Sequence, residues 1–311
     1  MSALDMQGRV AIVTGAGSGL GREHATMLAS RGARVVVNDI SPDAAAATVG
    51  AIRDAAGVAV SDVGDIVGGA AALVQTAIEH FGRLDIVVNN AGITRVGAFS
   101  EMDEAIWWKV FDTSFKGTVN VTRAAWRHLV ESGTGRLINV SSAGMLAGPY
   151  NSAYSAAKAA IWGLGNTLIA EGEEVGVQVT TLQPTAWTSM TENAFGDPAI
   201  RRVLREKLPP RAIAAFVTWL AHQDTTVYGE CFQVSGDSAG RTVFSAMPRV
   251  RAADMSPEAW AEAAEDLMRD RDVMPLRTTS DSFRAAMVFA DPSMDAELPS
   301  AGAPLNLPSP R

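Results

Sequence analysis

The sequence predicts an α/β fold, a doubly wound parallel sheet of about seven strands with a C-terminal helical extension and tail. Three observations predict it. Short β-branched runs alternate with longer alanine-rich stretches from Arg9 to about Ser235. The runs are apolar throughout, as strands covered on both faces must be. After about Val243 that rhythm stops and the composition shifts.

The elements follow in order. Val10–Val13 opens the sheet, and a glycine-rich turn leads into a helix over 21–30. Strand 34–38 and helix 44–55 form the next unit, then strand 58–60 and helix 69–80. Strand 84–88 precedes one long helix over 107–129, and strand 137–140 precedes another over 153–174. Runs 177–182 and 230–234 complete the set. A further helix, to about Arg271, starts with Ser256 as N-cap and Pro257 in the first turn, where a missing N–H costs nothing. Beyond Met274 the Pro, Ser and Ala content predicts an extended tail. Residues 1–250 thus read as one cofactor-binding and catalytic domain, and 251–311 as the extension.

A chain of 311 residues, 47% hydrophobic and 19% charged, can bury a sizeable core. Its net charge of −8, with no basic stripe, argues against a nucleic-acid partner. Met1 to Gly8 lacks the basic start and apolar run of a signal peptide, and no apolar stretch is of bilayer length. The single cysteine, Cys231, excludes an internal disulfide and a cysteine-based zinc site. The expectation is a cytoplasmic protein in a reducing compartment, acting on a small molecule. His24, His80, His128 and His222 have no metal-ligand spacing, so no metal is expected.

Thr14-Gly15-Ala16-Gly17-Ser18-Gly19-Leu20-Gly21 lies between the first strand and the first helix. A chain that turns sharply there, with little side-chain bulk, brings backbone close to a pyrophosphate. The helix N-terminus then presents free N–H groups and a positive dipole end to the anion. The spacing is T-G-x-x-x-G-x-G rather than G-x-G-x-x-G, and its bland alternative is a plain strand–helix turn. Asp39, at the end of the second strand, can accept hydrogen bonds from ribose hydroxyls and repel a 2′-phosphate. Neither Ser18 nor Ile40 offers that phosphate a cation, so NAD is the expected cofactor. A surface aspartate beside a helix cap is the competing reading, with Ser41 equally able to cap.

Tyr154 and Lys158 are four residues apart at the start of a long helix and so share a face. A free phenol, with a pKa near ~10, is a poor base at neutral pH, and an adjacent ammonium would lower that value. Alone, such a pair is common on solvated helices.

In company it is specific. Thr14–Gly21, Asp39, Asp62-Val63, Asn89-Asn90-Ala91-Gly92, Asn139-Val140-Ser141-Ser142 and Tyr154–Lys158 together resemble the short-chain dehydrogenase/reductase family, in its order and near its spacing, over roughly residues 5–245. The resemblance implies a Rossmann fold and an oxidoreductase acting on CH–OH groups. It implies that Tyr154 exchanges a proton with the substrate oxygen, Lys158 lowers its pKa and holds the nicotinamide ribose, and Ser142 hydrogen-bonds the substrate. It implies cofactor contacts at Gly15, Ser18, Gly19, Leu20, Gly21, Asp62, Val63 and Asn90, with Thr188 at the nicotinamide carboxamide and Asn89 bracing the sheet. Ser142 rather than Ser141 matches the family's serine, although its interval to Tyr154 is one residue short. Ser114 stands where the family carries a relay asparagine, in Asp112-Thr113-Ser114-Phe115-Lys116-Gly117, and is its candidate substitute. Pro184-Thr185 replaces the usual Pro-Gly.

Both departures resemble the (3R)-hydroxyacyl-CoA dehydrogenase units of peroxisomal multifunctional enzymes. So do Thr122-Arg123-Ala124-Ala125-Trp126, Gly229-Glu230-Cys231-Phe232 and Met255-Ser256-Pro257-Glu258-Ala259. The family's dimer helices correspond to 107–129 and 153–174, which implies a homodimer or homotetramer. Trp187, Met190 and Phe195 form a candidate lid, and Met145 and Tyr150 the facing wall, of an apolar substrate pocket; simple packing against the body is the alternative. Three functions follow. The first is a dehydrogenase of a cyclic, terpenoid or steroid-like secondary alcohol. The second is a (3R)-hydroxyacyl-CoA dehydrogenase, with Arg95, Arg201, Arg202 and Arg205 as candidate contacts for the CoA phosphates, although a solvated helix face is the more ordinary reading of the last three. The third is a non-catalytic NAD-binding sensor or scaffold.

Overall fold

The computed structural model describes residues 4–194, 196–276 and 279–298, in two compact units, Met1–Arg241 and Thr242–Arg311. In the first unit an eight-stranded sheet has the order β3-β2-β1-β4-β5-β6-β7-β8. Its strands are β1 (Val10–Val13), β2 (Arg34–Asp39), β3 (Val58–Val63), β4 (Ile86–Asn89), β5 (Arg136–Val140), β6 (Gln178–Thr185), β7 (Cys231–Ser235) and β8 (Ser238–Thr242). The first seven pair in parallel, and the sequence order reverses direction between β1 and β4. That reversal opens a crevice at the carboxyl ends of the strands.

Helices α1 (Gly19–Ser30), α2 (Pro42–Asp54) and α9 (Pro210–Ala221) cover one face; α3 (Ile66–Phe81) and α5 (Gly117–Glu131) cover the other. Strand periodicity divides the apolar residues between two cores. Ala11, Val13, Val35 and Val37 point into one, and Val10, Ile12, Val36 and Val87 into the other. The remaining helices of this unit are α4 (Glu104–Phe111), α6 (Ser152–Val175), α7 (Ser189–Ala194) and α8 (Pro198–Lys207).

The single helix expected over 107–129 is three pieces. A π-helical turn, Asp112–Lys116, separates α4 from α5. Such a turn has no residue signature of its own, and α4 and α5 are each helical in pattern, so the pattern alone joins them into one helix.

In the second unit Ser256 caps α10 (Pro257–Glu262), as its position predicts, through the Ala259 N–H at 3.1 Å. The helix breaks there, and α11 (Ala264–Leu267) follows. The expectation of an extended tail beyond Met274 is corrected. β10 (Met274–Leu276) pairs antiparallel with β9 (Phe244–Ala246), and α12 (Thr279–Ala290) and α13 (Met294–Glu297) follow. Pairing with a segment about thirty residues upstream is invisible to local composition, and Arg251, whose guanidinium lies 4.8 Å from the Phe289 ring, ties α12 in the same non-local way.

Candidate active site

A cavity of about 390 Å³ lies at the strand carboxyl ends, over the point where the order reverses. Its first wall is the glycine loop. Gly15 has φ of +60°, and a Cβ there would stand 2.9 Å from the Ala91 Cα, so only glycine lets the loop lie against the end of β4. Gly15, Ser18, Gly19 and Leu20 line the cavity. Gly21 does not; it faces the Gly15 carbonyl, which a Cβ would meet at 2.2 Å. Asn90 braces the loop from beneath, donating from Nδ2 to the carbonyl of Thr14 at 3.0 Å, and also lines the cavity. Asn89 turns into the sheet instead, toward Asn139 and Thr122, both at 2.9 Å.

Asp39 reaches the cavity with its carboxylate oriented by backbone. Oδ2 accepts from the Gly17 N–H and Oδ1 from the Ser41 N–H, both at 2.9 Å. Ser41 separately caps α2 through the Ala44 N–H, so the aspartate is not the cap. Asp62 and Val63 lie off the cavity. The Asp62 carboxylate accepts from Asn38 Nδ2 and Thr76 Oγ1, and the wall at that level runs through Gly64, Asp65 and Ile66. Those three and Thr113 are wall residues that the sequence did not single out; their only signal is position after a strand end or within the π turn.

The opposite wall carries Ser142, Tyr154 and Lys158. Ser142 starts a 3₁₀ turn after β5, where its Oγ accepts from the Gly144 N–H at 3.0 Å and hydrogen-bonds Tyr154. Tyr154 occupies the first turn of α6, whose positive dipole end favours a phenolate. Burial nevertheless pushes its phenol above the ordinary value, and the Ser142 hydrogen bond works in the opposite direction. Lys158 lies one turn further along α6. Its Nζ lies 5.5 Å from the ring centroid and donates to the Val140 carbonyl at 2.7 Å. Burial pulls that ammonium down to about 8. Ser114 lies behind the wall, fully buried, with its hydroxyl 3.4 Å from both the N–H and the carbonyl of Ile93. A Cβ at Gly92 would stand 3.2 Å from Ser114 Oγ and 3.4 Å from Lys158 Nζ, so the glycine keeps the space beside both polar groups open.

The third wall follows β6. Thr188 and Met190 line it, and the Thr191 hydroxyl fixes the turn by donating to Ala186 at 2.8 Å. The expected apolar pocket is only partly formed. Trp187 turns away to meet Arg205, whose guanidinium lies 5.2 Å from its ring centroid. Met145 turns toward β6, where its Sδ accepts from Gln183 Nε2 at 3.0 Å. Tyr150 points outward on a backbone with φ of +65° and is 62% exposed. Phe195 lies outside the described residues. Among the described residues no group of three or more His, Cys, Asp or Glu could hold a metal, and no helix is long and apolar enough to cross a membrane.

Comparison with known proteins agrees with this geometry. The family model described as short chain dehydrogenase matches residues 9–198. Peroxisomal multifunctional enzyme type 2 of Mus musculus is 39% identical over 272 residues, which cover 83% of this chain and 36% of that protein. The chain therefore spans about a third of that relative's length. The (2S)-[(R)-hydroxy(phenyl)methyl]succinyl-CoA dehydrogenase subunit BbsD of Thauera aromatica is 34% identical over 250 residues, covering 78% of this chain and 100% of that one. A short chain dehydrogenase from Mycobacterium avium superimposes with a TM-score of 0.77 at 36% identity, over 88% of this chain and 99% of that one. With these relatives the chain is an oxidoreductase acting on CH–OH groups. It belongs to the short-chain dehydrogenase/reductase family, in the branch that includes the peroxisomal multifunctional enzymes.

Proposed function

We propose that the protein is an NAD-dependent (3R)-hydroxyacyl-CoA dehydrogenase. The observation that carries the reaction is the convergence of Ser142, Tyr154 and Lys158 on one cavity wall, facing the glycine loop and Asp39. The ester class rests on relatives: the Thauera protein is named for a CoA ester, and the mouse protein belongs to the branch that the loop after β6 resembles. A cyclic, terpenoid or steroid-like alcohol is the weaker reading, because neither of those two relatives is named for one. The sensor reading falls with the family's chemistry.

The residues fit a dinucleotide. Gly15 leaves the loop bare of side chain where it approaches Ala91, and the N-terminus of α1 offers its first N–H groups beside Ser18. Asp39, already held by two N–H donors, presents negative charge where a 2′-phosphate would be repelled. NAD, when bound, supplies the hydride acceptor. Ser142 Oγ orients the substrate oxygen, Tyr154 Oη takes its proton during oxidation and returns it during reduction, and Lys158 stabilises the phenolate. Ser114 holds the backbone of Ile93 behind the lysine.

The protein is further proposed to act as a homodimer or homotetramer through α6, which exposes Ala159, Gly163, Thr167 and Ala170 as a smooth row. Its free, buried Cys231 suits a reducing compartment.

The test is NADH formation from a panel of 3-hydroxyacyl-CoAs, cyclic alcohols and hydroxysteroids. Turnover confined to the CoA esters is expected. Tyr154→Phe should lower kcat by about 10²–10⁴-fold while NAD binding persists. Near-wild-type activity in that variant would remove Tyr154 from its role, and turnover of free alcohols alone would replace the ester reading.

A further inference from the structure

The stretch 198–211 is the most cationic part of an acidic chain. It holds Arg201, Arg202, Arg205, Lys207 and Arg211 against a single carboxylate, Glu206. Arg201 and Arg205 are four residues apart on α8 and so form one row. Both contact the segment after β6, on side chains that do not themselves line the cavity. Arg201 Nη2 lies 3.6 Å from Glu192 of α7, and the Arg205 guanidinium lies over Trp187, between cavity residues Ala186 and Thr188. Arg202 faces outward and pairs with Glu206 at 4.0 Å.

We infer that the Arg201–Arg205 row seats the phosphates of the CoA moiety at the cavity mouth, an assignment that rests on the acyl-CoA reading above. Arg205 has an aromatic ring where a structural arginine would have a carboxylate, which leaves its N–H edge for an anion. Among the described residues Arg201 has a long, half-exposed pair with Glu192, of a kind that water screens and a phosphate readily displaces, and its Nε is buried with no hydrogen-bond partner among them. A helix of ten residues is about 15 Å long, so cations along it can follow an extended ligand away from the reacting carbon. A free apolar alcohol would give this mouth no use for two directed guanidinium groups.

The experiment compares steady-state constants for a 3-hydroxyacyl-CoA and the same acyl group on pantetheine, which lacks the phosphates. The enzymes are wild type, Arg201→Gln/Arg205→Gln, Arg201→Lys/Arg205→Lys and, as a control on another face of α8, Lys207→Gln. In the glutamine pair the KM for the CoA ester should rise about tenfold or more, the loss of roughly one charged contact or more. The KM for the pantetheine ester should change less than about twofold, the lysine pair should retain most of the affinity, and Lys207→Gln should behave as wild type. A wild-type KM for the CoA ester in the glutamine pair would overturn the phosphate assignment and leave the acyl-CoA reading standing. So would an equal rise for both esters, which reports a displaced lid. No wild-type turnover of either thioester, with a free alcohol oxidised, would overturn both.

Discussion

At the scale of single residues the site depends on how burial and charge oppose each other. Lys158 is 3% exposed, and its ordinary value of 10.5 falls to about 8 because the charged form loses water. The chain compensates it with the Val140 carbonyl at 2.7 Å and the Tyr154 ring, whose centroid is 5.5 Å away. Between pH about 8 and 10.5 the folded state therefore binds fewer protons at this position than the unfolded state, so its contribution to stability rises with pH across that window. Tyr154 is pushed the other way, upward, so oxidation of an alcohol should accelerate with pH along an alkaline limb. Lys158→Met removes the cation that stabilises the phenolate, and the limb should move up by about one pH unit or more. Profiles of kcat/KM against pH for both proteins check this, and an unmoved limb would leave Lys158 a structural group only. The tyrosine–lysine pair was legible in the sequence because a helical spacing is local. The Val140 contact was not, since it joins a helix to a strand end eighteen residues earlier.

At the scale of elements, the connection from β5 to α6 carries the strain. Ala147 has φ of +86° and Tyr150 φ of +65°, conformations that cost a non-glycine residue about 1–2 kcal/mol each. The neighbouring loop holds them, through Gly97 N–H to the Tyr150 carbonyl at 2.8 Å and Thr94 Oγ1 to Asn151 Oδ1 at 3.0 Å. In this conformation Ser142 hydrogen-bonds Tyr154 and Tyr150 faces solvent. Ala147→Gly relieves one strained position and should raise the melting temperature by about 2–4 °C in a scanning calorimeter, where an unchanged or lower value would show no strain there. The strands were legible to within two or three residues at most ends because their apolar runs are local signals. The π turn that buries Ser114 was not, because i→i+5 bonding leaves no compositional mark.

At the scale of the whole molecule, two cores sandwich one sheet, and a buried charge cluster closes the end opposite the cavity. Arg9 donates to the Ala221 carbonyl at 2.7 Å and Arg136 to that of Gln223 at 2.7 Å, so two buried guanidiniums cap the carboxyl end of α9. Burial pulls Arg136 down to about 10. The proposed oligomer belongs to this scale as well. Gly163 is exposed on α6 and a Cβ there would touch nothing, so Gly163→Arg is harmless to one subunit. It should reduce the mass in solution to the 32.7 kDa of a single chain, as light scattering would read it; an unchanged mass would place the interface elsewhere. The sequence by itself determined the doubly wound sheet, the glycine loop and Asp39, because periodicity and turn chemistry are properties of neighbours along the chain, while the Ser142, Tyr154 and Lys158 set is what the family resemblance implies. Only the tertiary structure decided which way Met145, Tyr150 and Trp187 turn, that Lys158 bonds Val140, that β9 pairs with β10 and that Arg201 and Arg205 meet Glu192 and Trp187. Each of those depends on a contact between segments whose meeting no local pattern records.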